Sequence, residues 1–345
     1  MKRRYILIFV MIAGLLITLL AFHRVMDRPR VASTVASIAT PPKCPVKTAA
    51  QRPVEAVSNQ SVIVPISRKV ETTAKQTPDS VLEVINQQKP YDQRITALER
   101  IPDLSAPGAQ ASIIDYLLRP LPCMDAAWWG PEYELRNNML NKLREHPADP
   151  RAVTETLLKI YYDSNQGAVM RSYAIQHIAG WIRTGELDSG AREKLLGAIR
   201  EAAAGVDKPA IGGAGLIALR KVGTEEDAGA FAMNALNSGN ACPESRISAF
   251  QVCAELGVDK AIGPARAALA DRNAPTVLRM SAVNVLAKLG GPADERLLQE
   301  ISTGGSGKNR GQSTEQNIKA GQPENDGLVR NAARLALVAR KSEGK

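Results

Sequence analysis

The chain has 345 residues, of which 44% are hydrophobic, 23% charged and only 4% aromatic. So few Phe, Tyr and Trp speak against an all-β sandwich, because sheets are built on aromatic and β-branched side chains, and 4 Cys do not make a disulfide scaffold in a chain this long. The net charge of +9 is uneven: residues 1–78 hold 12 of the 44 Lys and Arg and 3 of the 35 Asp and Glu, so the remainder is neutral. A folded domain that binds nucleic acid carries its own basic excess, and no nucleic-acid partner is expected here.

Residues 1–4 form a short basic tail, and 5–22 read YILIFVMIAGLLITLLAF without a charge. As a helix this run spans roughly 27 Å, enough to cross a thin hydrocarbon core, so membrane contact is expected through 5–22. Phe22, His23 and Arg24 are too bulky and basic for a signal-cleavage site, which favours an uncleaved signal-anchor. Lys2, Arg3 and Arg4 favour a cytoplasmic N-terminus, while Arg24, Arg28 and Arg30 pull the other way. A short basic tail, one span and a large C-terminal body resemble a bacterial inner-membrane protein facing the periplasm. Residues 23–78 are rich in Pro, Ser, Thr and Ala without helical or strand periodicity, and read as a disordered basic linker.

From residue 79 the chain repeats. Arg94, Arg171, Arg246, Arg279 and Arg330 are each followed three residues later by Ala: Ala97, Ala174, Ala249, Ala282 and Ala333. Two copies are degenerate, with Met139 after Arg136, and Gly212 in the Arg place before Gly215. Apolar residues at four and seven positions after these anchors, such as Phe250 and Cys253 or Val283 and Leu286, mark one face of a helix. The anchors stand 42, 35, 41, 34, 33 and 51 residues apart. Between them, second amphipathic runs lie at 151–162, 191–203, 226–236, 260–269 and 293–301. Gly223, Gly257 and Gly290 each follow their anchor by eleven residues and are expected to close their helices as left-handed caps.

The segment TVLRMSAVNVLAKLGGPADERLLQEI, residues 276–301, resembles a HEAT or HEAT-like repeat, and 245–269 is the next best copy. The resemblance extends from about 79 to 340. It implies an all-α fold, an α-solenoid of about seven HEAT-like helix pairs over 79–345, in which each pair buries its apolar face against its neighbours. In such arrays the anchor Arg usually pairs with an acid of the adjacent repeat, which points to Asp271 and Asp294. Arg334 and Arg340 fall on the expected buried face of the last copy, as a polar terminal cap would require.

Two segments are long for a helical repeat. Residues 120–134, PLPCMDAAWWGPEYE, read as an inserted loop whose Trp128, Trp129 and Tyr133 are interface-type side chains; they either bind a partner or plug an N-terminal repeat. Residues 302–326 read as a flexible loop. Its Gly304-Gly305-Ser306-Gly307-Lys308-Asn309 is not a phosphate loop, since Asn309 stands where Ser or Thr is needed. His177 lies beside a core Ile178, His146 ends a helix and Cys253 sits on a core face; Cys44 and Cys123 could pair or remain free. None of this has metal-ligand spacing or a nucleophile setting, so no catalytic, cofactor or metal residue is expected. These observations lead to the expectation of a non-catalytic, membrane-tethered protein–protein scaffold of the cell envelope, not an enzyme, with a protein partner and no small-molecule substrate. The alternative is a HEAT-like enzyme or nucleic-acid-binding protein, such as a DNA glycosylase, with its body in the cytoplasm.

Overall fold

A computed structural model describes residues 77–121, 126–304 and 323–342. The chain divides into two units, 1–70 and 71–345, of which the first lies wholly outside the described residues. The expected span 5–22, most of the linker, Cys44 and Cys123 therefore fall outside them. Among the described residues no helix is long and apolar enough to cross a membrane.

The described residues form fourteen α-helices and one 3₁₀ turn, with no strand among them. The helices are α1 (Asp79–Ile85), α2 (Tyr91–Arg100), α3 (Ala109–Leu118), α4 (Ala126–Glu145), α5 (Pro150–Tyr162), α6 (Ala168–Thr184) and α7 (Ser189–Ala204). They continue as α8 (Ile211–Val222), α9 (Glu225–Asn237), α10 (Pro243–Leu256), α11 (Ile262–Ala270), α12 (Thr276–Leu289), α13 (Pro292–Ser302) and α14 (Pro323–Ser342). Each odd helix packs on the even helix that follows, and even helices pack on one another in sequence, so the seven pairs form a repeat-like, two-layered arrangement.

The anchored copies are the even helices. Their small residues Ala97, Ala174, Ala249, Ala282 and Ala333 are buried, as are Leu98, Ile175, Leu216, Phe250 and Val283 one position on. Helix starts follow the local chemistry: Asp149 accepts from the backbone N–H of Arg151 and Ala152, Asp188 from Ala191 and Thr224 from Asp227, each satisfying donors that a helix N-terminus leaves unpaired.

Four anchor arginines tie their helix to the end of the preceding one, and Arg94 also pairs with Glu132, an acid of the adjacent repeat. Arg94 Nε donates to Val84 O at 2.8 Å, Arg171 Nε to Tyr161 O at 2.7 Å, and Arg246 Nη2 to Ser238 O at 2.8 Å. Arg136 Nη1 reaches Arg119 O at 2.7 Å. In every case the acceptor lies at the C-terminal end of the preceding odd helix, where carbonyls lack intrahelical partners and carry negative partial charge. Of the two acids expected as partners, Asp271 accepts from the Asn273 N–H two residues on, and Asp294 pairs with Arg266, which is not an anchor. Where Gly212 replaces the Arg, a Cβ would meet Gly205 O at the end of α7, and at Gly215 it would meet the backbone of Ala202 and Ala203. There α8 lies directly on α7, and the backbone takes the space of the missing guanidinium.

Four further expectations are corrected. Residues 126–134 are not a loop but the opening turns of α4; the Gly130-Pro131 pair disguises them, and the ties of Glu132 and Arg136 described below hold the helix against that local preference. Only Gly257 is left-handed, with φ 70°, whereas Gly223 and Gly290 are extended. At Gly290 glycine serves close approach instead, since a Cβ would strike Leu286 O and the Asp294 side chain. The segment 302–326 ends earlier than expected, because α14 begins at Pro323. Finally, the last helix is not polar outside. Arg334 is exposed, but Arg340 turns inward to Ala287 O and Gly290 O at the end of α12, and Leu335 and Val338 are each 61% exposed.

Candidate functional site

The even helices repeat a register as well as a core. Side chains one, five and nine positions after the anchor lie on one side of a helix, since these spacings approximate whole turns. On α10 they are Ile247, Gln251 and Glu255; on α12 they are Met280, Asn284 and Lys288. Together with Val277 and Ser281, these residues line an open groove of about 400 Å³ between the two helices. Its N-terminal end is apolar, with Ile247, Val277 and Met280. Its middle carries two amides and a hydroxyl, and its far end a carboxylate opposite an ammonium.

Some of these polar groups have protein partners. Gln251 Nε2 donates to Glu255 Oε1 at 3.0 Å, and Arg220 of α8 lies 3.9 Å from the other carboxylate oxygen. The Ser281 hydroxyl donates to Val277 O at 3.0 Å. Val277 is 58% exposed at the mouth, so an apolar surface there faces water. Such a groove can hold an amphipathic molecule: an apolar body over Ile247 and Met280, a polar centre against the amides, and a head of both charges between Glu255 and Lys288.

The N-terminal repeats hold a second polar cluster, which is sealed. Glu132 accepts from Arg94 at 2.8 Å, from the Tyr116 hydroxyl at 2.6 Å and from Arg136 Nε at 3.2 Å. Both guanidinium groups lie over the Tyr116 ring, at 5.5 and 5.1 Å from its centroid. Burial, and then the hydrogen bond to Glu132, push the Tyr116 phenol above its ordinary value. Arg136 and Tyr116 are fully buried, so this network locks α1–α4 together and offers a substrate no access.

Of the expected contact residues, Trp128 and Trp129 lie in the first turn of α4, and their side chains are outside the described residues. Tyr133 is half-buried against the core, with its hydroxyl on Gly167, and burial raises its pKa. It does not reach the α10/α12 groove. His177 is buried on α6 with Nε2 2.9 Å from Asn137 Oδ1; burial, helped by Arg144, lowers its pKa to about 4, so it is a neutral core imidazole. Burial drives the Cys253 thiol up to about 11, away from reactivity. No group of three or more metal-type ligands occurs among the described residues. Reading residue by residue missed the groove, because Gln251, Glu255, Asn284 and Lys288 look like ordinary solvated positions. Their common register in consecutive repeats is the signal that marks them.

No known protein family and no curated protein matches the chain. A similar solved structure is human deoxyhypusine hydroxylase in complex with glycerol, with 18% identity and a TM-score of 0.30, covering 76% of this chain and 95% of that one. That protein is an enzyme, and against it the expectations of a non-catalytic scaffold and of no enzyme are withdrawn. A likeness this remote carries no activity, substrate or residue to this chain.

Proposed function

We propose that the helix pairs are HEAT-like repeats of an α-solenoid, and that the groove between α10 and α12 is its site for a small molecule. The observation that carries this reading is the three register-matched pairs, Ile247 with Met280, Gln251 with Asn284 and Glu255 with Lys288, graded from apolar to doubly charged along one groove. The gradient selects a small amphipathic molecule with a zwitterionic head, which sets aside the expectation of no small-molecule substrate. A nucleic-acid substrate is disfavoured, since residues 79–345 contain as many acids as bases. The reading assigns recognition to the groove and no chemical step to a residue.

The test is a titration of the full chain, methyl-labelled at Ile and Met, with leucyl-leucine, decanoate and decylamine. The Ile247 and Met280 methyl resonances should move most with the zwitterion. Lys288→Glu should abolish the response to decanoate, and Glu255→Gln the response to decylamine. Shifts no larger than those of Ile113, buried in the N-terminal repeats, would dismiss the groove.

A further inference from the structure

We propose that the outward face of α14 docks on an anionic phospholipid surface. The inner face of this helix is already used: Val329 and Ala333 are buried, and Arg340 bonds to Ala287 O and Gly290 O, which fixes how the helix is turned. On the opposite face Leu328 is 55% exposed, and Leu335 and Val338 are 61% exposed. At 100° per residue these three lie within an arc of about 80°, and Arg330, Arg334 and Lys341 follow on one flank within about 80° more. From Leu328 to Lys341 there is no acidic residue.

The same register in the preceding repeats carries different residues. The Leu335 position is Gln251 in α10 and Asn284 in α12, both open to water. The Val338 position is Ala254 and Ala287, which the next helix covers to 7% and 9% exposure. In α14 one polar position has become Leu, and a small covered one has become an uncovered Val beside three cations.

An exposed helix with an aliphatic ridge and basic flank meets the two demands of a lipid interface, apolar insertion and attraction to anionic headgroups. Charge decides the occupant. A second copy docked about a two-fold axis would bring Arg330, Arg334 and Lys341 of both molecules together with no acid on this stretch to offset them. A single-helix ridge also gives a peptide no groove to lie in. The inference is independent of the α10/α12 site.

Hydrogen exchange of the peptide spanning 328–342 provides a local readout in the full chain, so that binding by any other segment does not enter. Vesicles of phosphatidylglycerol and phosphatidylcholine should slow its exchange at least about fivefold, while pure phosphatidylcholine should not, and 0.5 M salt should remove the effect by screening. The double change L335E/V338E should abolish the slowing without altering helical content; if it unfolds the helix, the surface charge reversal R334E/K341E decides in its place. Equal slowing by neutral vesicles, no slowing by anionic ones, or slowing that appears without vesicles as protein concentration rises would each overturn the proposal, the last in favour of a second copy.

Discussion

The first six helices and the last eight solve one packing problem by different means. In α7–α12 the contacting residues are short: Ala198, Ala202, Ala203, Gly215, Ala228, Ala232 and Ala249 let backbones approach until little space is left to fill. In α1–α6 the corresponding position can be as large as Met139, and long polar side chains occupy the interior: Arg94, Glu132 and Arg136 in one network, Gln110 holding the 148–149 turn, and Trp181 Nε1 donating to Thr154. Short residues make a seam that tolerates no added atom. Long polar residues make one that tolerates no missing partner, because an unpaired buried charge costs far more than a paired one gains.

That contrast can be broken most forcefully at Glu132. Glu132→Ala leaves two buried guanidinium groups without their carboxylate and should destabilise the N-terminal repeats by about 3–5 kcal/mol, read as a lower urea midpoint together with faster hydrogen exchange in α1–α4 only. In the other region the sensitive change is an addition. Gly215→Ala places a methyl group against the backbone of Ala202 and Ala203. Despite the better helix propensity of Ala, it should cost about 1–3 kcal/mol, and crowding at α7/α8 should be the site of faster exchange. Equal tolerance at both positions would show that the two regions do not differ as described.

Acid sharpens the same comparison. The buried His177 has its pKa lowered from 6.5 to about 4, so the unfolded chain binds a proton that the folded one refuses. Stability should therefore fall between about pH 6.5 and 4, by up to roughly 3 kcal/mol at 1.36 kcal/mol per unit, and His177→Gln should flatten that slope. Asp294 behaves oppositely in position and range. The hydrogen bond from Arg266, and the Gly291 N–H, hold its carboxylate below 3.8 against the opposing effect of burial, so its contribution is present at neutral pH and disappears only as pH drops through the folded value. Asp294→Asn should cost about 1 kcal/mol at neutral pH, as loss of a helix-start acceptor does, and remove the part of the acid transition below pH 4. The smallest effect belongs to the groove, where Lys288→Glu changes an exposed side chain and should leave the melting curve within about 0.5 kcal/mol while altering ligand response.

Much of the all-helical, paired arrangement is legible in the sequence, because core burial imposes a period that survives substitution. Five of the seven anchor copies show it directly, and the second runs at 151–162 and 226–236 coincide with α5 and α9 to within a residue. What misled was local chemistry that admits two answers. Gly130-Pro131 argues for a loop until Arg94 is seen to bond to Glu132, 38 residues away from it. A Gly at a helix end signifies a left-handed turn at Gly257 but close approach at Gly290, and only the neighbouring Asp294 distinguishes them. The groove was harder still, since each of its residues is unexceptional alone.

By itself, the sequence determined that the described residues from 79 onward form amphipathic helix pairs, that an anchor falls on every second helix, and that residues 79–345 are electrically neutral. These follow from composition and periodicity, which act within a turn or two of chain. The tertiary structure alone decided what the anchor arginines bond, which polar residues are sealed around Tyr116, which meet in the α10/α12 groove, and which face of α14 is left to solvent. Those outcomes depend on the distance and rotation between helices, set by the summed volume of residues from different repeats, and no local pattern encodes that sum.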